Sequence, residues 1–340
     1  MLMLMLMAMP LIVALIVAMA VVMLVMSAGA AHPCPPVLLQ AMILLRSRIV
    51  NGGGKPMQAT TRREMRHVTG GGGVALQVGR WGTAGRPAVL FVHGFCQSHL
   101  SWSRQFNDPS LAAGLDMAAL DLRGHGGSDK PLDAAAYTDD GLWADDIMAV
   151  IEALGLVRPV LVGWSYAGYV LCNYIARYGQ KHLGGLVFVG AATNRREYRP
   201  DPAQRSDPVS LPGLFQAMLS DDLETRLAGT IGFIGRCTRH PLDPVETASI
   251  IGYNMLVPAE VRRAMMARQQ DNDAVLASLR LPVLVVHGAE DAVVSPSSGH
   301  HIEATASAAQ LVSYKGVGHA PFMEAAPRFA RDLARFVDGV

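Results

Sequence analysis

The chain predicts an α/β fold, a mostly parallel sheet with helices on both of its faces. Short continuous apolar runs recur at residues 88–92, 117–120, 160–162 and 186–189, as expected of strands buried on both sides. Stretches with apolar residues at helical spacing separate them, and that alternation is the mark of a helix-covered parallel sheet. The third observation is the stretch Val160-Leu161-Val162-Gly163-Trp164-Ser165-Tyr166-Ala167-Gly168. It reads as a strand, a tight turn with a serine at its apex, and a helix. Small residues two positions to either side allow so sharp a turn, and the helix start offers free backbone N–H groups beside the hydroxyl.

The elements follow in order. Met1 to Met26 is almost purely apolar, and no charge occurs before Arg46. The run exceeds the roughly 20 residues that span a bilayer, so residues 1–30 are expected to be an apolar membrane-anchor helix or signal-like segment, with possible membrane contact through residues 1–26. Ala28-Gly29-Ala30 suits cleavage of an exported, secreted or periplasmic protein, but no basic residues precede the run. A third reading starts translation at Met57 or Met65 and leaves the protein cytoplasmic. Fractionation of cells expressing the full chain separates these readings. Residues 31–65 read as a linker with Asn51-Gly52-Gly53-Gly54 at its loosest point.

The folded domain opens with a hairpin, Arg66 to Val68 and Val74 to Trp81, about the glycines 70–73. The strand at 88–92 ends in His93-Gly94-Phe95, and the strand at 117–120 runs into Asp121-Leu122-Arg123-Gly124-His125-Gly126-Gly127-Ser128. A helix is expected over Thr138 to Leu156, its early acids Asp139, Asp140, Asp145 and Asp146 forming a solvated helix start. The turn at Ser165, a helix over Tyr166 to Tyr178 and the sixth strand at 186–189 complete the first part of the core, 66–193.

Over residues 194–279 the alternation stops. Helical stretches broken by prolines carry Leu214, Phe215, Met218, Phe233, Ile234, Met265 and Met266, most of them expected to pack this insertion itself and a few to face the serine. The sheet resumes over 280–340 with Pro282 to Val286, then His287-Gly288-Ala289-Glu290-Asp291. A last strand, Gln310 to Tyr314, leads to Gly318-His319-Ala320-Pro321-Phe322-Met323-Glu324, and an amphipathic helix carrying Phe329, Leu333, Phe336 and Val337 closes the domain.

Composition narrows the function. With a net charge of +1 and no basic stripe, bulk electrostatics makes no case for nucleic acid. Cys34, Cys96, Cys172 and Cys237 are far apart and make neither a zinc motif nor a disulfide framework. No histidine lies at ligand spacing from the acids at 139–146, so no metal site is read there.

Taken together, Gly163-Trp164-Ser165-Tyr166-Ala167, the His93-Gly94-Phe95 loop, the Asp121 to Ser128 loop, Gly288 to Asp291 and Gly318 to Glu324 resemble the α/β-hydrolase fold family over about Arg66 to Val340. One departure is Ala167, where the family usually has glycine. The resemblance implies that the insertion at 194–279 is a helical cap. It also implies a nucleophile at Ser165, a triad acid at Asp291 rather than Glu290, and a base at His319. Oxyanion donors are implied at the backbone N–H groups of Phe95 and Tyr166, and His93 and His125 become structural. No cofactor is implied. Serine at the turn argues against epoxide opening or halide displacement, which use aspartate there. The chain is similar to capped carboxylesterases and the cofactor-free haloperoxidase (perhydrolase) group. This suggests hydrolysis of a small-molecule ester, lactone or thioester. Alternatives are C–C bond hydrolysis by the same triad and a slow-turnover small-molecule receptor. Oligomeric state is not legible.

Overall fold

A computed structural model describes residues 64–194 and 210–340. The expected N-terminal anchor, nearly all of the linker and residues 195–209 of the insertion lie outside the described residues. Among those described, no helix is long and apolar enough to cross a membrane.

Eight strands form one sheet: β1 (Glu64–Thr69), β2 (Ala75–Gly82), β3 (Ala88–Val92), β4 (Asp116–Leu120), β5 (Val160–Trp164), β6 (Gly185–Val189), β7 (Val283–Gly288) and β8 (Ala309–Tyr314). Their order is β1-β2-β4-β3-β5-β6-β7-β8. The expected hairpin forms, with β1 and β2 antiparallel, and β2 also runs antiparallel to β4. All pairings from β4 through β8 are parallel. β1 begins two residues before the expected boundary because Glu64 and Met65 pair with Arg80 and Gly79.

Every residue of β3, β4, β5 and β6 is buried, which explains their unbroken apolar character. The covering helices include α1 (Asp140–Leu154), α2 (Ala167–Tyr178) and the C-terminal Ala326–Asp338. The C-terminal helix turns Phe329, Ala330, Leu333 and Val337 inward and its charged residues outward. The helix expected over 138–156 is shorter. Asp139 stands at its N-cap, accepting from Gly141 N at 2.8 Å, and Gly155 ends it in the left-handed region at φ 60°.

Of the acids expected at a solvated helix start, Asp139 and Asp140 are exposed and Asp146 is not. Asp146 is wholly buried and takes two hydrogen bonds from the buried Arg123 guanidinium, each 2.7 Å, and one from Gly71 N at 2.9 Å. Asp145 pairs with Arg177, and Asp140 pairs with Arg268. These partners are distant in sequence, so helical periodicity alone does not reveal them.

Between β6 and β7 the described residues form helices α3 (Leu211–Met218), α4 (Leu223–Arg236), α5 (Pro244–Met255), α6 (Ala259–Ala267) and α7 (Asp273–Ser278). Asp222 and Asp243 cap α4 and α5, and proline occupies an early position in α3 and α5. The wholly buried Arg262 holds the group together: its guanidinium donates to the carbonyls of Met218, Asn254 and Val257 and to Thr230 Oγ1. Helix α8 (Pro296–Thr305) then returns against β7 and β8.

Candidate active site

Strand order determines where a site can form. β4 lies on one side of β3 and β5 on the other, so the connections leaving β3 and β5 diverge and open a crevice at their carboxyl ends. Val92 at the end of β3 pairs with Gly163, next to the end of β5. The loops bearing Phe95 and Ser165 therefore start side by side. The loops after β7 and β8 supply Asp291 and His319 from the same edge.

Ser165 occupies the turn between β5 and α2 with φ 56°, a left-handed conformation rare for a residue with a side chain. Backbone bonds hold it there: Ser165 N donates to Val189 O at 3.0 Å, and Ser165 O accepts from Gly168 N at 2.9 Å and Ala192 N at 3.1 Å. The departure at Ala167 has a local reason. A Cβ on residue 168 would come 2.4 Å from Ala192 O, so the close approach that demands glycine falls one position later, and Ala167 fits as it stands.

His319 Nδ1 donates to Asp291 Oδ2 at 2.8 Å, with both side chains buried. The other carboxylate oxygen, Asp291 Oδ1, accepts from Val293 N at 2.8 Å and Val294 N at 2.9 Å. Burial works against this charge, but His319 and a second imidazole, His287, hold the Asp291 carboxyl well below the usual carboxylate range. The neighbouring Glu290 turns elsewhere and accepts from Val317 N, bracing the histidine loop. Glu324 does the same from the far side of that loop, accepting from Gly318 N at 2.7 Å and from Arg239 N of the insertion at 2.6 Å. The last residue of the Gly318 to Glu324 pattern is thus a loop brace.

The histidine–aspartate pair lies beside the strand end that carries Ser165. Trp164, the residue before the serine, donates Nε1–H to His319 O at 2.9 Å. A Cβ on Gly190, the residue after β6, would lie 3.2 Å from His319 Nδ1 and 3.3 Å from Asp291 Oδ2. His319 Nε2 is buried and meets no hydrogen-bond partner among the described residues, the serine hydroxyl included.

Ser165 lines a cavity of about 320 Å³, within the range of small-molecule sites. Its lining includes Phe95, Tyr166, Tyr169, Phe215, Phe233 and Met266, together with Ser295, Ser297 and Ser298 at the start of α8. The rings run on from one another: Tyr169 to Tyr166 at 5.2 Å between centroids, Tyr166 to Phe95 at 6.2 Å, Phe95 to Phe215 at 6.1 Å and Phe215 to Phe233 at 5.2 Å. Of the insertion's apolar residues, Phe215, Phe233 and Met266 reach the cavity, while Met218 and Met265 are wholly buried. Phe95 and Tyr166 therefore flank Ser165. Tyr166 stands at the N-cap of α2, directly after Ser165. Its hydroxyl donates to Met265 O at 3.2 Å and accepts from Arg268 at 2.9 Å, tying this part of the lining to the insertion.

His93 and His125 brace the loops beneath. His93 donates from Nδ1 to Gly94 O at 2.8 Å and accepts Leu122 N at Nε2, 3.0 Å. His125 donates to Arg123 O at 2.8 Å and accepts Cys96 N at 3.2 Å, which steadies Cys96 at φ 58°. Burial lowers both histidines, His93 to about 4 and His125 to about 3. The Cys96 thiol is buried and pushed up to about 11 by that burial, so it is not poised as a nucleophile. Among the described residues no cluster of three or more His, Cys, Asp or Glu side chains is arranged to hold a metal ion.

A strained serine at the strand–helix turn, with a histidine–aspartate pair from the last two strand ends, defines a class of α/β enzymes. Residues 87–326 match the family model described as alpha/beta hydrolase fold, and the chain belongs to that family. It is similar to a crystal structure from Burkholderia cenocepacia provisionally named an aryl esterase, at 34% identity and a TM-score of 0.75, covering 81% of this chain and 98% of the other. It is also similar to the esterase RhEst1 from Rhodococcus sp. ECU1013, at 29% identity and a TM-score of 0.70, covering 81% and 98%. Among curated proteins, the bifunctional esterase/perhydrolase DCH of Acinetobacter calcoaceticus is 28% identical over 292 residues, covering 80% of this chain and 99% of the relative.

Proposed function

We propose that this protein is a serine hydrolase that cleaves carboxylic esters, lactones or thioesters of small to medium apolar substrates through an acyl-enzyme on Ser165. The observation that carries this reading is the buried His319–Asp291 hydrogen bond, set against the strand end that presents Ser165 to an aromatic-walled cavity. The esterases named among its relatives support the bond type.

A serine hydroxyl needs a base to attack at neutral pH. Nδ1–H of His319 is committed to Asp291, which leaves Nε2 as the basic nitrogen. Nε2 takes the Ser165 proton as the oxygen attacks the acyl carbon, and Asp291 stabilises the imidazolium that forms. The N–H groups of Phe95 and Tyr166 hold the oxyanion, each worth about 2.7–4 kcal/mol in the transition state. Collapse releases the alcohol, protonated by His319. Water then repeats the sequence on the acyl-enzyme and releases the acid. The insertion acts as the cap, supplying Phe215, Phe233 and Met266 to the acyl or alcohol pocket.

The test is Ser165→Ala, assayed with p-nitrophenyl esters of increasing acyl length and checked by circular dichroism. The variant folds and loses turnover. Full turnover in a folded variant rejects Ser165 as nucleophile.

A further inference from the structure

We infer that His287, outside the three residues of the proposed triad, is a positioning residue that shares the Asp291 carboxylate with His319 and tempers its basicity. The inference rests on the triad reading above. His287 is the penultimate residue of β7 and is buried, and its Nε2 lies 3.1 Å from Asp291 Oδ2, the same oxygen that accepts from His319 Nδ1 at 2.8 Å. One carboxylate oxygen therefore sits between two imidazoles.

Geometry places the ring's proton. His287 Nε2 has two acceptors in reach, Asp291 Oδ2 and Val294 O, the latter also at 3.1 Å, so it is the donor. His287 Nδ1 is buried without a hydrogen-bond partner among the described residues, and a Cβ on Gly299 of α8 would approach it to 2.9 Å. The titratable groups facing the pair from the packed elements are His319 from the loop after β8 and Cys237 just after α4. Glu290, on the same loop as Asp291, is turned to Val317 N.

Asp291 accepts hydrogen bonds from two backbone N–H groups and from His319, and the His287 Nε2–H, bonded to Val294 O, faces the same carboxylate oxygen at 3.1 Å. Each donor spreads the negative charge and weakens its hold on the others. Removing the His287 donor leaves more of that charge to stabilise the protonated form of the base. The acidic limb of the pH–rate profile should then move to higher pH by about one unit, the size expected for a hydrogen bond to a charged group. A residue that only fills space beneath the loop would not move that limb.

The experiment compares wild type, His287→Leu and His287→Gln by the pH dependence of kcat/KM on a p-nitrophenyl ester, with Ser165→Ala as reference. The leucine variant shifts the acidic limb upward, and the glutamine variant, which keeps a donor at this reach, restores it. An unshifted limb in an active leucine variant overturns the inference and leaves the triad intact. Persistent turnover in Ser165→Ala overturns the triad reading instead. Histidine ¹⁵N NMR of the wild type decides the matter if the leucine variant does not fold. His287 with Nε2 protonated and Nδ1 bare supports the inference, and the opposite tautomer overturns it.

Discussion

Asp291 is held charged in a buried site by the donors around it: two backbone N–H groups on one oxygen, His319 on the other, and the His287 ring 3.1 Å from that second oxygen. That arrangement makes its role specific. In Asp291→Asn the amide keeps the size but can present its NH₂ to His319. Nδ1 of His319 would then have to accept, and Nε2 would carry the proton that a base must lack. Turnover of an aryl ester should fall by about 10⁴-fold with little change in KM. A folded Asn variant retaining more than a tenth of wild-type kcat would show that Asp291 does not set the tautomer.

At the scale of elements, the strand ends deliver the site and long-range pairs hold those ends still. Arg123, in the loop after β4, bridges α1 through Asp146, the turn between β1 and β2 through Gly71 O, and Ala136 O. Substituting one partner of such a pair leaves a buried charge alone. Arg123→Met should therefore lower the unfolding free energy by about 3–5 kcal/mol, read as a fall in the urea midpoint. A midpoint within experimental error of wild type would mean the pair contributes no net stability. Glu324 is a similar tie: one carboxylate joins the His319 loop to the insertion through Gly318 N and Arg239 N.

Across the whole molecule, legibility followed the range of each interaction. Ser165, His319 and Asp291 lie in short local patterns, because a sharp turn or a strand-end loop constrains its immediate neighbours. His319 pairs with Asp291 while Glu290 turns to Val317 N, and His93 braces its loop. The buried Asp146–Arg123 pair was not legible, because four acids at a helix start look alike until the fold brings a cation to one of them. His287 was equally hidden: its partner is four residues away in sequence, but the shared oxygen exists only once the loop after β7 folds back. Within the insertion, hydrophobicity alone could not separate Phe215, Phe233 and Met266, which line the cavity, from Met218 and Met265, which pack the interior.

Stability against pH is also a property of the whole molecule. His93 and His125 are buried and lowered to about 4 and about 3. The unfolded chain takes up protons at these histidines below their ordinary value of 6.5 while the folded chain does not. Their contribution is complete above that value and is lost as pH falls from about 6.5 toward 4, by roughly 3 kcal/mol for His93 alone at pH 4. Asp121 and Asp291, held below the carboxylate range by the histidines beside them despite their burial, add a second loss at still lower pH. Melting temperature should be level above pH 7 and decline through the first window. A flat profile down to pH 4 would mean that these rings are not buried neutral.

The acyl-enzyme on Ser165 is tested most directly by a fluorophosphonate probe followed by peptide mass spectrometry of the full chain. The adduct is expected on the peptide containing Ser165, in one-to-one stoichiometry and in parallel with loss of ester turnover. An enzyme that still turns over esters after saturating exposure to the probe, or one inactivated by an adduct at another residue, would contradict it.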